Sequence, residues 1–482
     1  MKNQMLLTAL AVCLTITSAW AEEKTQKPAE EKKEIVAEKK EVVAAPEAPA
    51  PVPAVVEVKA KALDLETAQR LALKGNPGIG AAQARIEQAK AKIKQIMATQ
   101  QPSVDALANF GVSGDNEGEL TENSALGLQG AWLLFDGYAR QFQQDQAEYG
   151  EKSSAEAKRN SQRLLVAAVA DAFFNAQLAK ASIDIAAGDQ EFYDQQLKDA
   201  QHRFEAGTGS WGDVLNIKVQ VNSAKNSAIV AQRQHEAVRY GLAALLGLEN
   251  SALPELAELE KDFVPSDENA ASDTEALIKA ALKNRPDAKR LALQMKVAEA
   301  GIQVAEAQNS PKARLTGQAG LANQKKLFPE SDDIGASLAL NLSWNLYSGG
   351  AIEAAATEAR QMKREAAYGY ADLRNSIAAE IRQDAALLAA AARQVRLQQE
   401  SVDLVKENRK LAESEYEAGA ASLTRLNEAQ RDLTATYGRL AQAIVGYHQA
   451  QHQLLAAAGK NLEPFADLLA AEVKEPKVEQ GK

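Results

Sequence analysis

Cysteine is almost missing from this chain: Cys13 is the single one in 482 residues. It sits in a segment with the order of a secretory signal, namely Lys2, an apolar run from Met5 to Ile16, and Ala19-Trp20-Ala21 before Glu22. Cleavage after Ala21 leaves no thiol, which excludes disulfides and thiolate chemistry from the mature chain. A lipoprotein site at Cys13 would want a small residue where Val12 stands. Histidine is scarce as well, with four residues, and a net charge of -10 supplies no basic patch for nucleic acid. No stretch beyond the signal approaches the roughly 18 to 20 uninterrupted apolar residues of a membrane-spanning helix. An exported chain without such a helix belongs in the periplasm, outside the cell, or in a β-barrel.

What the chain does have is an internal duplication. Asn76-Pro77 and Pro102 recur 209 residues later as Arg285-Pro286 and Pro311. Trp132, Phe135 and Gly137 recur 212 residues later as Trp344, Tyr347 and Gly349, and Phe204-Glu205-Ala206-Gly207 as Tyr416-Glu417-Ala418-Gly419. A repeat this long, present twice, implies a duplicated half-structure rather than a solenoid. The expected division is a signal at 1–21, a Glu/Lys/Ala/Pro spacer at 22–61, a first repeat at 62–250, a linker at 251–272, a second repeat at 273–460 and a flexible tail at 461–482. Spacer and tail have too few apolar residues to form a core and read as disordered.

Each repeat reads as helix, two alternating runs, a very long helix, a tight turn and a further long helix. After the turns, Val214, Ile217, Val221 and Ala224 step by 3,4 spacing, as do Leu426, Ala429, Leu433 and Thr436 at the same offset. Sustained heptads with many Ala at the seam specify closely packed coiled coils. The proline-free stretches at about 140–203 and 352–415 could each extend about 95 Å at the helical rise. The alternating runs predict strands at about 102–113, 124–136, 311–321 and 334–347, apolar on one face and polar or small on the other. Such strands match transmembrane barrel strands, and a soluble sandwich would alternate likewise. Four strands cannot close a barrel alone, since the smallest have about eight, so a barrel would be shared between chains.

These motifs, Trp132-Leu133-Leu134-Phe135-Asp136-Gly137 and Trp344-Asn345-Leu346-Tyr347-Ser348-Gly349-Gly350 at the strand-to-helix passages, with Phe204-Glu205-Ala206-Gly207 and Ser210 at a turn, resemble the TolC-like outer-membrane efflux protein family. The resemblance runs through residues 62–460. It implies an α+β membrane protein, a homotrimer whose chains share a 12-stranded barrel in outer-membrane lipid above a long periplasmic coiled-coil tunnel. It also implies a passive duct for efflux or type I secretion, coupled to an inner-membrane pump through a periplasmic adaptor, with no cofactor.

Gly207 and Gly419 are read as left-handed caps, and Ser210 and Ser422 as caps of the following helices. In the resembled family these turns are the adaptor-facing tips. Tyr416 aligns with a gate tyrosine at the tunnel entrance, but Ala421 stands where the gate arginine is expected, and Arg425 and Glu428 occupy two acidic ring positions. Arg425 and Glu428, three apart on one helix, are expected to neutralise each other partly. Trp132, Gly137, Trp344, Gly349 and Gly350 mark the strand-to-helix passages, with the glycines permitting the change of direction. His448 and His452 have the spacing of a helical metal pair but no third ligand, so a solvated helix face is the simpler reading. His235 occupies the heptad position of Tyr447 and reads as packing. Ser210 lies in Gly209-Ser210-Trp211-Gly212, which is no nucleophile elbow, and the sequence offers no enzyme site. The alternative function is a soluble periplasmic coiled-coil scaffold.

Overall fold

The computed structural model describes residues 62–114, 120–248, 253–260, 263–265, 273–323, 329 and 331–472. The expected signal with Cys13, the spacer and the acidic loop residues Asp115, Glu117 and Glu119 lie outside these. The first repeat runs α1 (Leu65–Gly75), α2 (Pro77–Ala98), β1 (Ser103–Gly114), β2 (Leu120–Phe135), α3 (Ala139–Glu205) and α4 (Trp211–Leu246). The second runs α5 (Thr274–Asn284), α6 (Pro286–Ala307), β3 (Lys312–Asn323), β4 (Ile334–Ser343), α7 (Ala351–Glu417) and α8 (Leu423–Ala457), followed by a short α9 (Ala466–Glu472). The protein is therefore a mostly helical α+β fold with one small sheet. Both long helices have 67 residues, about 100 Å at the helical rise.

The heptad seams are where the helices pack. Val214, Ile217, Val221 and Ala224 of α4 are buried with Tyr193 and Ala200 of α3. In the second repeat Ile377, Ile381 and Val395 of α7 pack with Ile444, Ala450 and Leu454 of α8. One stretch of α3 is apolar enough by composition to cross a membrane, but half of it is buried. Val169, Phe173 and Phe174 on this helix enter a core shared with α1, α4 and Val445 of α8. Linker residue Leu256 joins the same core beside Leu63, with which it forms a parallel bridge.

The four strands form one antiparallel sheet in the order β1-β2-β3-β4, so β2 and β3 join the repeats and β1 and β4 are edges. In the register, Ala108 faces Leu126, Leu126 faces Leu321, and Leu315 faces Leu340, so the alternating apolar residues share one face. Among the described residues nothing covers that face: Val104 is 70% exposed, Leu338 76% and Leu342 75%. A sandwich would bury one side of its sheet, and this sheet is bare on the apolar side. β2 starts four residues earlier than predicted, at Leu120, and β4 stops at Ser343, leaving Trp344, Leu346 and Tyr347 outside the strand. β2 starts early because Leu120 to Asn123 pair with β1, and β4 stops early because its last β3 partner is Lys312, opposite Ser343, whereas Trp132, Leu133 and Phe135 of β2 still pair with β3.

The C-terminal segment corrects its compositional reading over residues 461–472. Asn461 donates to the Arg163 carbonyl at 2.8 Å, and Phe465 is buried against Leu73 and Val166. Arg70 pairs with Asp467 at 3.0 Å and lies over the Phe465 ring. One aromatic placed in a preformed pocket anchors a segment whose composition is otherwise that of a tail.

Candidate functional site at the turns and strand exits

At the first turn, α3 ends in a Schellman cap. The Gly207 amide donates to the Phe204 carbonyl and the Thr208 amide to the Arg203 carbonyl, with Gly207 at φ +73°. Ser210 then caps α4 by accepting from the Gly212 amide at 3.1 Å. The second turn repeats this: Gly419, also at φ +73°, donates to Tyr416, Ala420 to Glu415, and Ser422 accepts from the Arg425 amide. A Cβ on either glycine would meet nothing within 4 Å, so only the backbone angle demands glycine.

The two turns lie side by side. Leu423 is buried among Val214, Ile217 and Tyr193, and Tyr416 packs beside Phe192. The Arg203 guanidinium sits 5.0 Å from the Tyr416 ring centroid, a cation–π contact joining the α3 end to the α7 end. Burial raises the Tyr416 hydroxyl pKa. Arg425 corrects the sequence reading: its partner is Glu415, at 3.1 Å across the turn, not Glu428. The reversal brings a residue ten positions away closer than the neighbour on the same helix. Glu428 is exposed and has no ion pair among the described residues.

At the strand exits the Trp pair performs one duty twice. Trp132 Nε1 donates to the Gln100 carbonyl and Trp344 Nε1 to the Asn309 carbonyl, each at 3.0 Å, tying the strand end to the helix before it. The exits need left-handed backbone at Gly137 (+69°) and Tyr138 (+68°), and at Gly349 (+63°) and Gly350 (+84°). Asp136 caps α3 by accepting from the Arg140 amide, and its carboxylate pairs with the Arg140 side chain at 2.8 Å. The surroundings of the two glycines differ. A Cβ on Gly137 would lie 2.2 Å from Ser310 Cβ, whereas one on Gly349 would meet nothing.

The structure also contains a buried ionic cluster that sequence reasoning missed. Arg285 donates twice to Asp287, at 3.1 and 2.8 Å, as well as to Glu380 and the Ala457 carbonyl. Arg163 of α3 donates to the Ala456 carbonyl and stands 3.7 Å from Asp287. Two guanidiniums thus meet the carbonyl end of α8, where the helix dipole favours positive charge. Burial lowers the Arg163 pKa, and nearby Arg285 lowers it further. Burial would raise the Asp287 pKa, but hydrogen bonds and charge from Arg285 hold it below the usual carboxylate range. The signal available in sequence was the replacement of Asn76 by Arg285 at a duplicated Asn-Pro site.

His448 and His452 are not on a solvated face, which corrects that reading. His448 stacks on Phe174 at 4.9 Å, and His452 lies 5.5 Å from the same ring. Burial lowers both pKa values, that of His452 to about 4, so both are neutral at pH 7. His235 is half-buried on the α4 seam. Among the described residues no group of three His, Cys, Asp or Glu could hold a metal.

A family model described as outer membrane efflux protein matches residues 68–248 and 277–460, one span per repeat. The chain belongs to the outer membrane efflux protein family. Membership places the protein in the outer membrane. It is 28% identical over 313 residues to the solvent efflux pump outer membrane protein SrpC of Pseudomonas putida, covering 64% of each chain. It is 27% identical over 316 residues to the alkaline protease secretion protein AprF of Pseudomonas aeruginosa, again covering 64% of each. The chain thus matches a little under two thirds of the length of these relatives. Its fold is similar to that of the Campylobacter jejuni CmeC outer membrane channel, with a TM-score of 0.71 at 17% identity, over 86% of this chain and 90% of that one.

Proposed function

We propose that the protein is the outer-membrane channel of a tripartite efflux or type I secretion system. It is a passive duct, closed as a homotrimer with a shared 12-stranded barrel and coupled to an inner-membrane pump through a periplasmic adaptor. The observation that carries this reading is a half-empty pseudo-symmetry. Within the chain, α3 packs on α6 and α8 of the other repeat, but the equivalent α7 makes no comparable contact with α2 or α4. The unused faces are apolar. Leu397 and Leu404 of α7 are each 62% exposed, and Phe204, Trp211 and Leu215 are exposed at the first turn. The equivalents of Trp211 and Leu215, Leu423 and Asn427, are buried. A second copy set head to tail would cover these faces and pair β4 with β1, and repetition closes a ring. The bare apolar sheet favours the duct over a soluble scaffold.

The seam's register follows from the chain's own. Leu128 pairs with Ala319; adding 212 to the first and subtracting 209 from the second puts Leu340 opposite Phe110 of the next copy. Phe110→Cys with Leu340→Cys should therefore yield covalent dimers and trimers on oxidation, seen on non-reducing gels, while either variant alone yields none. A folded monomer that gives no adduct would sink the duct reading.

At the entrance, Arg425 pairs with Glu415 while Glu428 has no ion pair among the described residues, so the two residues should act oppositely on ions drawn through a threefold ring. Arg425→Ala uncovers Glu415 and should raise cation preference, and Glu428→Ala should lower it. Planar-bilayer reversal potentials that fail to move in opposite directions would remove both residues from the lumen. The turns with Gly207, Ser210, Gly419 and Ser422 are the adaptor-facing tips in this reading.

A further inference from the structure

The polar face of the sheet carries very little charge. The register sets Asp105 of β1 in line with Gln129 of β2, and Gln129 in line with Gln318 of β3, all opposite the apolar face. Among the described residues of the four strands, the charged ones on this face are Asp105, Lys312 and Arg314. All three are exposed, and none of them has an ion pair. The rest of the face is neutral, with Asn109, Thr316, Ser337 and Asn341 among its polar residues.

The duplication decides how these charges are arranged. Ala106 faces Leu128 as Leu315 faces Leu340, the same pair moved by 209 and 212 residues. At the 209 offset Arg314 stands where Asp105 does, and Lys312 where Ser103 does. The inference rests on the shared barrel proposed above, in which every second strand is β1 or β3 in turn. Asp105 and Arg314 then alternate at one height around the wall, and the Lys312 side chains lie two residues nearer the helices. Pairing cannot cancel them: Gln318, in line with Asp105, is four residues beyond Arg314. Two strand spacings across and four residues along leave about 17 Å between the two Cα atoms, beyond the reach of an ion pair. Lys312 has no acidic counterpart, so every chain adds one net positive charge to the ring.

We infer that the helix-side end of the barrel is a charge filter that favours anionic solutes, which Arg314 and Lys312 attract and Asp105 opposes. Rings of fixed charge on a low-dielectric wall concentrate the opposite sign. The test uses the full-length trimer in detergent with Cys13→Ser and Ala131→Cys. Ala131 faces Ser103 on one side and Thr316 on the other, which sets it diagonal to both Asp105 and Arg314. The diagonal is about 8 Å. Two methanethiosulfonates of similar size, one bearing a sulfonate and one a quaternary ammonium, are applied at low salt. The ratio of their rates, divided by the same ratio for a small neutral thiol in solution, cancels the reactivity of the thiol itself. At that distance one charge changes the ratio about fivefold in water. The sulfonate should be favoured in the parent. Arg314→Gln with Lys312→Gln should lower the ratio about fivefold or more, and Asp105→Asn should raise it by a similar factor. Salt at roughly 1 M should draw every ratio towards one. A parent ratio below one overturns the inference, as do ratios that ignore these substitutions or move the same way for Arg314 and Asp105. So does a thiol that reacts with neither reagent. The Phe110–Leu340 cross-link decides the ring separately: an adduct there with an unresponsive ratio removes the filter and leaves the channel standing.

Discussion

Asp287→Asn should be the most damaging single polar substitution in the chain, costing about 3–5 kcal/mol of folding stability. The carboxylate receives both arms of Arg285 and faces Arg163, and both arginines are buried, at 4% and 5% exposure. Its removal leaves two like charges under the end of α8 with only the half-exposed Glu380 to balance them. Replacing all three residues by apolar ones of similar size should cost far less, because the only charge that loses its partner, Glu380, is half-exposed and can be solvated. The pH dependence has a definite sign. A carboxyl group held below its ordinary value of 3.8 contributes stability that is complete above that pH and is lost as pH falls through the folded value. The gap between wild type and Asp287→Asn should thus be constant near neutrality and close below about pH 3.8. Thermal melting followed by circular dichroism across pH measures this, and a gap unchanged at low pH would contradict the assignment.

Gly137→Val and Gly349→Val are expected to fail in different ways although they occupy duplicated positions. Both place a branched side chain at a positive φ, a strain on the order of 1–2 kcal/mol. At Gly137 the added carbon also meets Ser310, 2.2 Å away within the same chain, so the chain itself should fold poorly. At Gly349 the space is open, and the position equivalent to Ser310 is Gln101 of the next copy in the proposed ring. That variant should leave a folded, protease-resistant chain but fewer assembled trimers. Pulse proteolysis together with native gels separates the two outcomes. Equal loss of chain folding in both variants would deny that a neighbour stands at Gly349.

The buried cluster also distinguishes the two kinds of junction in such a ring. The positions equivalent to Arg163, Arg285, Asp287 and Glu380 are Asn375, Asn76, Gly78 and Ala168, so the seam between chains has no counterpart. Asn76 preserves one part of the pattern, donating to the Leu245 carbonyl as Arg285 donates to Ala457. The junction between the repeats within a chain is ionic, and in the proposed ring the junction between chains would be left to apolar faces and strand pairing.

By itself the sequence determined whatever depends on neighbours along the chain. The 3,4 spacing fixed the seams of α4 and α8, the alternation fixed which face of each strand is apolar, and glycine's freedom at φ +73° fixed both turns, because all of these are local and each was written twice. The tertiary structure alone decided what depends on residues far apart. The turn geometry gave Arg425 to Glu415 instead of Glu428. A pocket between α1 and α3 captured Phe465 and ordered a segment of tail-like composition. Packing against Phe174 took His448 and His452 out of solvent. β4 ends at Ser343 because a strand extends only as far as a partner's hydrogen bonds, and that limit is not contained in the strand's own residues.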